Sequence, residues 1–449
     1  MTFTRYVLLL AALLVTMTAG ADTATKKRKK KRRKARTERT IKDPMSVVNT
    51  AADSLIFPAG ISADFRQLAR DLNALRAGNP RHINMLHIGA SHVQAGIFTH
   101  RVRTRLSNAF APNHGSRGCI FPFATIKSTS PKSYSLEHTG RWHGARNIKN
   151  PDSLPLGVMG ATATTSDPNA TLSLTLNTDS QSVAYRIDTL TILGEASSPQ
   201  AYPIVIANGD TIRPTDYHLF TLALTPGTLP QPLPIADSTS PQAPSHYTYP
   251  LPTSATACDI CFPGVSDSAS FTLRGIITKS ATPGITYTAA GISGAAVPSW
   301  LSCELLPGEL SLFPPRLVIF AIGINDASVR HFSPDDFKQN YRQLIGRIRQ
   351  ASPDCCFIFV TNNDCYLNLT RRGRFINPNT AAARQVFYEL AHETQGAVFD
   401  VFDIMGGEGS SKQWVKAGLM NRDHVHFTAD GYNLIGDMLF EAIWKTLNF

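Results

Sequence analysis

The feature that most limits how this chain can fold is a strand, a tight turn and a helix read in direct succession. "HINMLHIG" (82–89) is followed by "ASH" and then by "VQAGIFTHRVRTRLSNAF" (93–110). An apolar run closed by glycine reads as a strand, and the segment after it spaces its apolar residues as an amphipathic helix. Strand, short turn, helix is the opening unit of a parallel α/β sheet. Upstream, "SADFRQLARDLNALRAG" sets Phe65, Leu68, Leu72 and Leu75 at helical spacing, with Ser62 as N-cap and Gly78 as stop. The alternation returns from about residue 286. "PRLVIFAIG" is a strand and "SPDDFKQNYRQLIGRIRQ" a helix capped by Ser333, with Pro334 at its first position. "CCFIFVTNND" is a strand, "NTAAARQVFYELAHETQ" a helix, "AVFDVFD" a strand and "TADGYNLIGDMLFEAIWKTL" a closing helix.

Between these halves, from about 125 to 285, the pattern changes. Short runs such as "TLSLTLN", "DTLTILG", "YPIVIANG" and "FTLRGIIT" are separated by turn signals, including Asn208-Gly209-Asp210, and the stretch is rich in Ser, Thr and Pro. No helical period is present there. Short strands at this spacing predict an all-β sandwich or jelly-roll. "GTLPQPLPIADSTSPQAPSHYTYPLP" from Gly227 reads as a Pro-rich surface excursion. At 449 residues the chain is long for one core, so more than one domain is expected.

The N-terminus is expected to lie outside the fold. "MTFTRYVLLLAALLVTMTAGA" carries Arg5, an apolar stretch and the small triplet Ala19-Gly20-Ala21, the layout of a secretory signal peptide cut after Ala21. The apolar stretch is too short for a transmembrane span, and none is expected in the mature form. Next comes "KKRKKKRRKARTER" (26–39). The chain has 44 Lys and Arg against 33 Asp and Glu, and this run alone holds eleven of the former and one of the latter. The net charge of +11 is therefore a property of a tail, and the remainder is close to neutral. Such a run repels itself and stays unfolded, and in an exported chain it suits an anionic envelope surface. Nucleic-acid binding does not fit the export signal. Seven cysteines, an odd number, leave at least one unpaired within the chain. Cys355 and Cys356 read as apolar fillers of a buried strand. Cys258 and Cys261 form a lone C-x-x-C, without a second pair for zinc, and a local disulfide is expected.

Functional loops of parallel sheets gather at the carboxyl ends of the strands. The first strand ends in "HIGASHVQAG", which puts Ser91 in the turn before a helix. A nucleophile there meets preset backbone donors, although Ser91 can equally be an N-cap. The strand at 316–322 ends in "GIND", which offers the side-chain amide of Asn325, and "GISGA" (291–295) offers a flexible loop with a free N–H. In "NRDHVHFTADGY" (421–432), Asp423 stands three residues before His426. An Asp so placed accepts the imidazole Nδ1–H and leaves Nε2 free to take a proton from a serine. His424, next to Asp423, would face away. "DHVH" lacks a third metal ligand at regular spacing, so neither metal nor cofactor is expected.

In this order, "GASH", "GISGA", "GIND" and "DHVH" resemble the four blocks of the SGNH hydrolase family of GDSL-like esterases. The resemblance covers about 80–135 and 286–449, and the G-x-S-x-G elbow of the α/β-hydrolases is absent. It implies a flavodoxin-like, three-layer α/β domain, with Ser91 as nucleophile, Asp423 and His426 as its partners, and Gly294 and Asn325 as oxyanion donors. The divisions it implies are a signal peptide (1–21), a polybasic linker (22–45), a hydrolase domain (46–125 and 286–449) and an inserted β-sandwich (126–285). One position departs from the family's Gly-Asp-Ser: Ala90 stands where the Asp is usual, which would loosen the nucleophile turn. The β-insertion, together with "GSRGCIFPF", looks like envelope esterases that deacetylate polysaccharide or peptidoglycan and carry a carbohydrate-binding module. The expected activity is glycan O-deacetylation outside the cytoplasm. A glycan O-acetyltransferase would use the same residues, and a non-catalytic glycan-binding protein remains the reading from a different class.

Overall fold

The computed structural model describes residues 43–179, 183–218, 245–369 and 373–446. The signal peptide, nearly all of the polybasic linker and most of the Pro-rich excursion lie outside the described residues.

A six-stranded sheet carries the fold. Its strands are β1 (Leu55–Ile56), β2 (His82–Gly89), β3 (Gly284–Gly291), β4 (Leu317–Ala321), β5 (Cys356–Val360) and β6 (Ala397–Phe399). Their spatial order is β1-β6-β5-β4-β2-β3, parallel throughout except for the antiparallel edge strand β1. The order reverses at β2. After the edge strand β1, the chain lays down β2, adds β3 on one side of it, and returns to build β4, β5 and β6 on the other. Such a switch point opens a crevice at the carboxyl ends of the strands. Register brings Gly89 level with both Gly291 and Ala321.

The strands are buried on both faces, and side chains alternate between two cores. Leu86, Ile88, Val318, Phe320, Phe357 and Phe359 face α7 (below) and its neighbours. Ile83, Met85, Leu317, Ile319, Ile358 and Val360 face the opposite helical layer. Cys355 and Cys356 split between the two, each as a buried filler. The helices, in chain order, are α1 (Ala63–Arg76), α2 (Ser91–Gln94), α3 (Ile97–Ala109), α4 (Val297–Leu301), α5 (Leu306–Leu310), α6 (Ile324–Ala327), α7 (Pro334–Ala351), α8 (Thr380–Thr394), α9 (Val401–Ile404), α10 (Ser411–Ala417) and α11 (Ala429–Lys445). Ser62 and Ser333 cap α1 and α7, each accepting the backbone N–H three residues on. The segment read as one strand, "AVFDVFD", divides at Asp400, whose carboxylate accepts the Asp403 N–H and starts α9.

Between α3 and β3 the chain forms two antiparallel sheets. Five strands, including Tyr134–Thr139, Thr171–Leu176 and Ala257–Cys261, face a sheet built around Ile187–Ala196, His246–Ala255 and Phe271–Lys279. Leu172, Leu174, Val205 and Ile260 of the first pack on Leu190, Ile192, Tyr249 and Phe271 of the second, which is a sandwich core. The second sheet begins earlier in sequence than residue 126, because Gly118–Ile120 pairs with Phe271–Lys279. The disulfide expectation is overturned. Cys258 and Cys261 are free and lie three apart on one strand, where odd spacing sends side chains to opposite faces.

The sandwich is fused to the α/β core. Phe121, Val158, Met159, Leu193 and Ile277 join the apolar cluster beneath β2 and β4. Inside this junction, Arg274 Nε meets Glu309 Oε1 at 2.7 Å, with side-chain exposures of 1% and 0%. Glu309 Oε2 also accepts the Val158 N–H at 2.8 Å, and Arg274 donates to the Ser245 carbonyl at 3.0 Å. Removing one member of such a pair leaves a buried charge uncompensated. Glu309→Ala is therefore expected to destabilise the protein by about 3–5 kcal/mol in denaturant unfolding. The apolar double replacement, Arg274→Met with Glu309→Leu, is expected to lose less than that single change.

Candidate active site

Three strand ends and one terminal loop supply the site. Gly89 and Gly291 close β2 and β3, and both are bare for a reason of packing. A Cβ on Gly89 would run into Val93 and the Ala321 carbonyl, and one on Gly291 would meet the Gln94 backbone. The absent side chains let α2 settle directly on the sheet. Ser91 is the first residue of α2. The cap position belongs to Ala90, so the reading of Ser91 as an N-cap does not hold. The Ala90 carbonyl accepts the Val93 and Gln94 N–H groups at 3.2 and 2.9 Å, which fixes the turn through main chain alone.

Ser91 Oγ lies 2.9 Å from His426 Nε2, although the two are 335 positions apart. His426 Nδ1 lies 2.8 Å from Asp423 Oδ2. Asp423 Oδ1 accepts the backbone N–H groups of Val425 and His426, both at 3.0 Å, and the loop before α11 thereby folds into a fixed turn. Burial pushes the Asp423 carboxyl up, but bonds from the His426 ring and these two amides outweigh it and hold it below its ordinary value. The carboxylate form is the one that accepts Nδ1–H.

Asn325, on α6 after β4, donates from Nδ2 to the Ala295 carbonyl at 2.8 Å. An amide nitrogen has two hydrogens, so one donor remains for the crevice. Asp326 accepts the Val297 N–H with both oxygens, at 3.0 and 3.2 Å. The α6 turn thus grips the loop after β3 at two points. Gly294 stands on that loop with φ of +89°, a conformation favouring glycine. It is exposed and does not line the cavity of about 90 Å³ that Ser91, His426, Asn325, Asn362, Val425 and their neighbours enclose. The structure therefore joins Ser91, Asp423, His426 and Asn325 directly, and sets Gly294 on the adjacent turn.

Residues beyond the predicted relay complete the surroundings. His92 Nδ1 lies 2.8 Å from Tyr432 Oη, and its ring centroid lies 5.4 Å from that of His426. Burial, reinforced by His426, pushes His92 down to about 3, so it is neutral at ordinary pH and adds no charge beside His426. His424 turns away with φ of +58° and stacks on Tyr366 at 4.3 Å between centroids. Gln94, three residues after Ser91 on α2, bonds to two separate loops (below). The acidic last residue of "GIND" was a visible clue to Asp326, whereas nothing local marks Gln94.

Residues 273–434 match the model of the GDSL-like Lipase/Acylhydrolase family. That span contains Gly294, Asn325, Asp423 and His426, and Ser91 lies upstream of it. Among solved structures, one described as a peptidoglycan O-acetylesterase in action superposes with a TM-score of 0.67 at 20% identity, covering 88% of this chain and 99% of its own. An acetyl xylan esterase, AlAXEase, matches at 19% identity over 35% of this chain and 81% of its own, with a TM-score of 0.29. A family two carbohydrate esterase from Cellvibrio japonicus matches at 12% identity over 70% and 99%, with a TM-score of 0.26. No curated protein matches the chain. Over residues 273–434 the chain is thus similar to GDSL-like acylhydrolases, which are ester hydrolases, and its parallel sheet interrupted by antiparallel β-layers has the fold of the first of these structures.

Asp326 gives the site a measurable pH signature. Burial raises its carboxyl to about 6, against the lowering bond from Val297. A raised value means that the folded state holds this proton more tightly than the unfolded chain. The resulting stabilisation is complete below the ordinary value of 3.8 and is lost as pH climbs through about 6. Asp326→Asn keeps the acceptor without the charge. It is expected to melt with the wild type at pH 4 and to be more stable at pH 8, by about 1 kcal/mol once partial exposure is discounted. Equal melting curves at pH 8 would contradict the assignment.

Proposed function

We propose that the protein is an exported serine esterase that removes acetyl groups from a glycan, with peptidoglycan or another envelope polysaccharide as substrate. The single observation supporting this reading best is the Ser91–His426–Asp423 relay, at 2.9 and 2.8 Å, in a crevice at the sheet's switch point. Ser91 Oγ attacks the ester carbonyl while His426 Nε2 takes its proton, and Asp423 holds the tautomer that leaves Nε2 unprotonated. The tetrahedral oxyanion faces the Ser91 N–H at the first turn of α2, the Gly294 N–H and the spare Asn325 Nδ2 hydrogen. His426 returns the proton to the departing sugar oxygen. Water, deprotonated by the same ring, then releases acetate and regenerates Ser91. Every proton passes through the His426 ring, which already contacts Ser91 Oγ and Asp423 Oδ2.

The inserted layers take the role of glycan platform in this reading. On them a groove of about 220 Å³ is lined by Arg141, Trp142, His143, Ser166 and Asp167. An indole face, a guanidinium and a hydroxyl are the groups that stack on and hydrogen-bond to pyranose rings. From there the strand His143–Arg146 leads to Ile148, which lies beside Gly294. The polybasic run near the N-terminus would hold the enzyme against an anionic envelope surface, by charge rather than by a spanning helix. Among the described residues no helix is long and apolar enough to cross a membrane.

Two outcomes are expected. Ser91→Ala and His426→Ala should each lower kcat on an aryl acetate by at least about 10³-fold while the fold is kept, and Asn325→Ala by about 10²–10³-fold. Undiminished hydrolysis by a folded Ser91→Ala variant would remove the mechanism. Trp142→Ala should leave aryl acetate turnover intact and raise KM on an acetylated polymer about tenfold, measured as acetate release. Unchanged KM on the polymer would take the groove out of the glycan path.

A further inference from the structure

Gln94 carries no part of the chemistry just described, yet its side chain makes three hydrogen bonds beside it. Only 3% of its surface is exposed. Its Oε1 accepts the Ser293 N–H at 2.6 Å. Its Nε2 donates to Ser128 Oγ at 2.8 Å and to the Thr129 carbonyl at 3.0 Å. Its backbone belongs to α2, three residues after Ser91, and its own N–H is fixed by the Ala90 carbonyl. One buried amide therefore spans three segments: the helix bearing Ser91, the loop bearing Gly294, and the connection leading into the inserted sandwich.

We infer that Gln94 is the positioning residue for the oxyanion loop. It fixes the Gly294 N–H relative to Ser91 and ties that geometry to the seating of the inserted layers. The inference rests on the esterase reading above. The Ser293 N–H lies in the peptide plane between Ile292 and Ser293, one Cα before the plane that carries the Gly294 N–H, so the acceptor that clamps it anchors the residue from which that N–H projects. The clamp works from α2 itself, so any movement of the nucleophile carries the loop with it. From the opposite side the loop is held by Asn325 on the Ala295 carbonyl and by Asp326 on the Val297 N–H. Gln94 is thus the tether on the Ser91 side. A backbone donor displaced by about 1 Å from a developing oxyanion costs on the order of 10²-fold in rate, although it touches no substrate in the ground state. The effect of losing Gln94 should therefore fall on kcat and spare KM.

The test uses the full mature chain, with aryl acetate as substrate. Gln94→Leu, near in volume but without polar atoms, is expected to lower kcat by about 10–100-fold, with KM within threefold of wild type. Gln94→Glu is the second variant and discriminates by pH. A protonated glutamic acid reproduces the amide, its carbonyl oxygen accepting from Ser293 and its O–H donating to Ser128 or Thr129. Once ionised, it loses that donor, confronts the Thr129 carbonyl and sets a negative charge beside the oxyanion loop. The kcat of Gln94→Glu divided by that of wild type at the same pH is therefore expected to approach one in acid and to fall as pH rises. Should the leucine variant fail to fold, this ratio alone decides. A ratio that stays flat, or a folded leucine variant whose kcat lies within threefold of wild type, overturns the inference. If Ser91→Ala abolishes turnover while Gln94→Leu keeps kcat within threefold of wild type, the positioning role fails and the esterase reading stands. If Ser91→Ala retains turnover, the esterase reading is the one that fails.

Discussion

The crevice depends on one constraint of parallel sheet geometry, the level alignment of three strand ends. Gly89, Gly291 and Ala321 lie side by side in register. The chain segments leaving those positions converge on one rim, where Ser91 and Asn325 line the crevice and Gly294 stands on the exposed turn beside it. Ser91 comes from the first, Gly294 from the second and Asn325 from the third. A shift of one residue in any pairing would turn that strand's side chains to the opposite face and retract its loop by about 3.3 Å, beyond hydrogen-bond reach. The small residues at this level are what allow α2 to lie close enough for Ser91 to face His426. His426 itself enters from the far end of the chain, on a turn that Asp423 closes with two backbone bonds.

The inserted layers interrupt the chain between the first and second of these strand ends. An insertion there risks decoupling Ser91 from the loop after β3, because the route between them runs through more than 150 residues. The structure answers with two devices of different strength. A shared apolar cluster and the Arg274–Glu309 pair hold the sandwich as a body against the sheet. Gln94 then bridges locally, from the helix bearing Ser91 straight to the returning loop. Coarse docking by burial and fine placement by a hydrogen-bonded amide are separable. Apolar contact tolerates sliding over tenths of an ångström, and a buried amide clamped at both ends does not.

Much of this was legible in the sequence, and the reason lies in which interactions are local. The strand-helix alternation, the Ser62 and Ser333 caps and the Asp423–His426 turn are set by neighbours in the chain, and spacing alone reveals them. The three strand-end blocks were legible because a parallel sheet sends all its functional loops to one edge. What stayed hidden depends on partners far away in sequence. Arg274 and Glu309 look like two ordinary charges until the sandwich docks. Gln94 looks like one polar residue on a short helix, since Ser293 lies 199 positions away. The expected Cys258–Cys261 bridge failed for a local reason that was available: once that segment is a strand, spacing of three forbids the bond. The division of "AVFDVFD" at Asp400 was also within reach, because Asp before a short apolar run is a good cap.

Ala90 shows what the departure from the family pattern does and does not change. The nucleophile turn was expected to loosen without a carboxylate there. The turn is instead closed by the Ala90 carbonyl, an acceptor that every residue type provides, so its geometry survives the substitution. The consequence appears next door. Ala90 is buried and lines the cavity shared with Asn362, whose Nδ2 is buried without a hydrogen-bond partner. An orphaned amide donor beside an open volume is the arrangement that admits a small acceptor, and it raises the potential at the base of the crevice. In the esterase reading proposed above, a negative group in that place would oppose the charge that develops on the substrate oxygen. An alanine with a neutral donor behind it does not. The position that departs from the usual block therefore leaves the relay intact and alters the electrostatic floor beneath it.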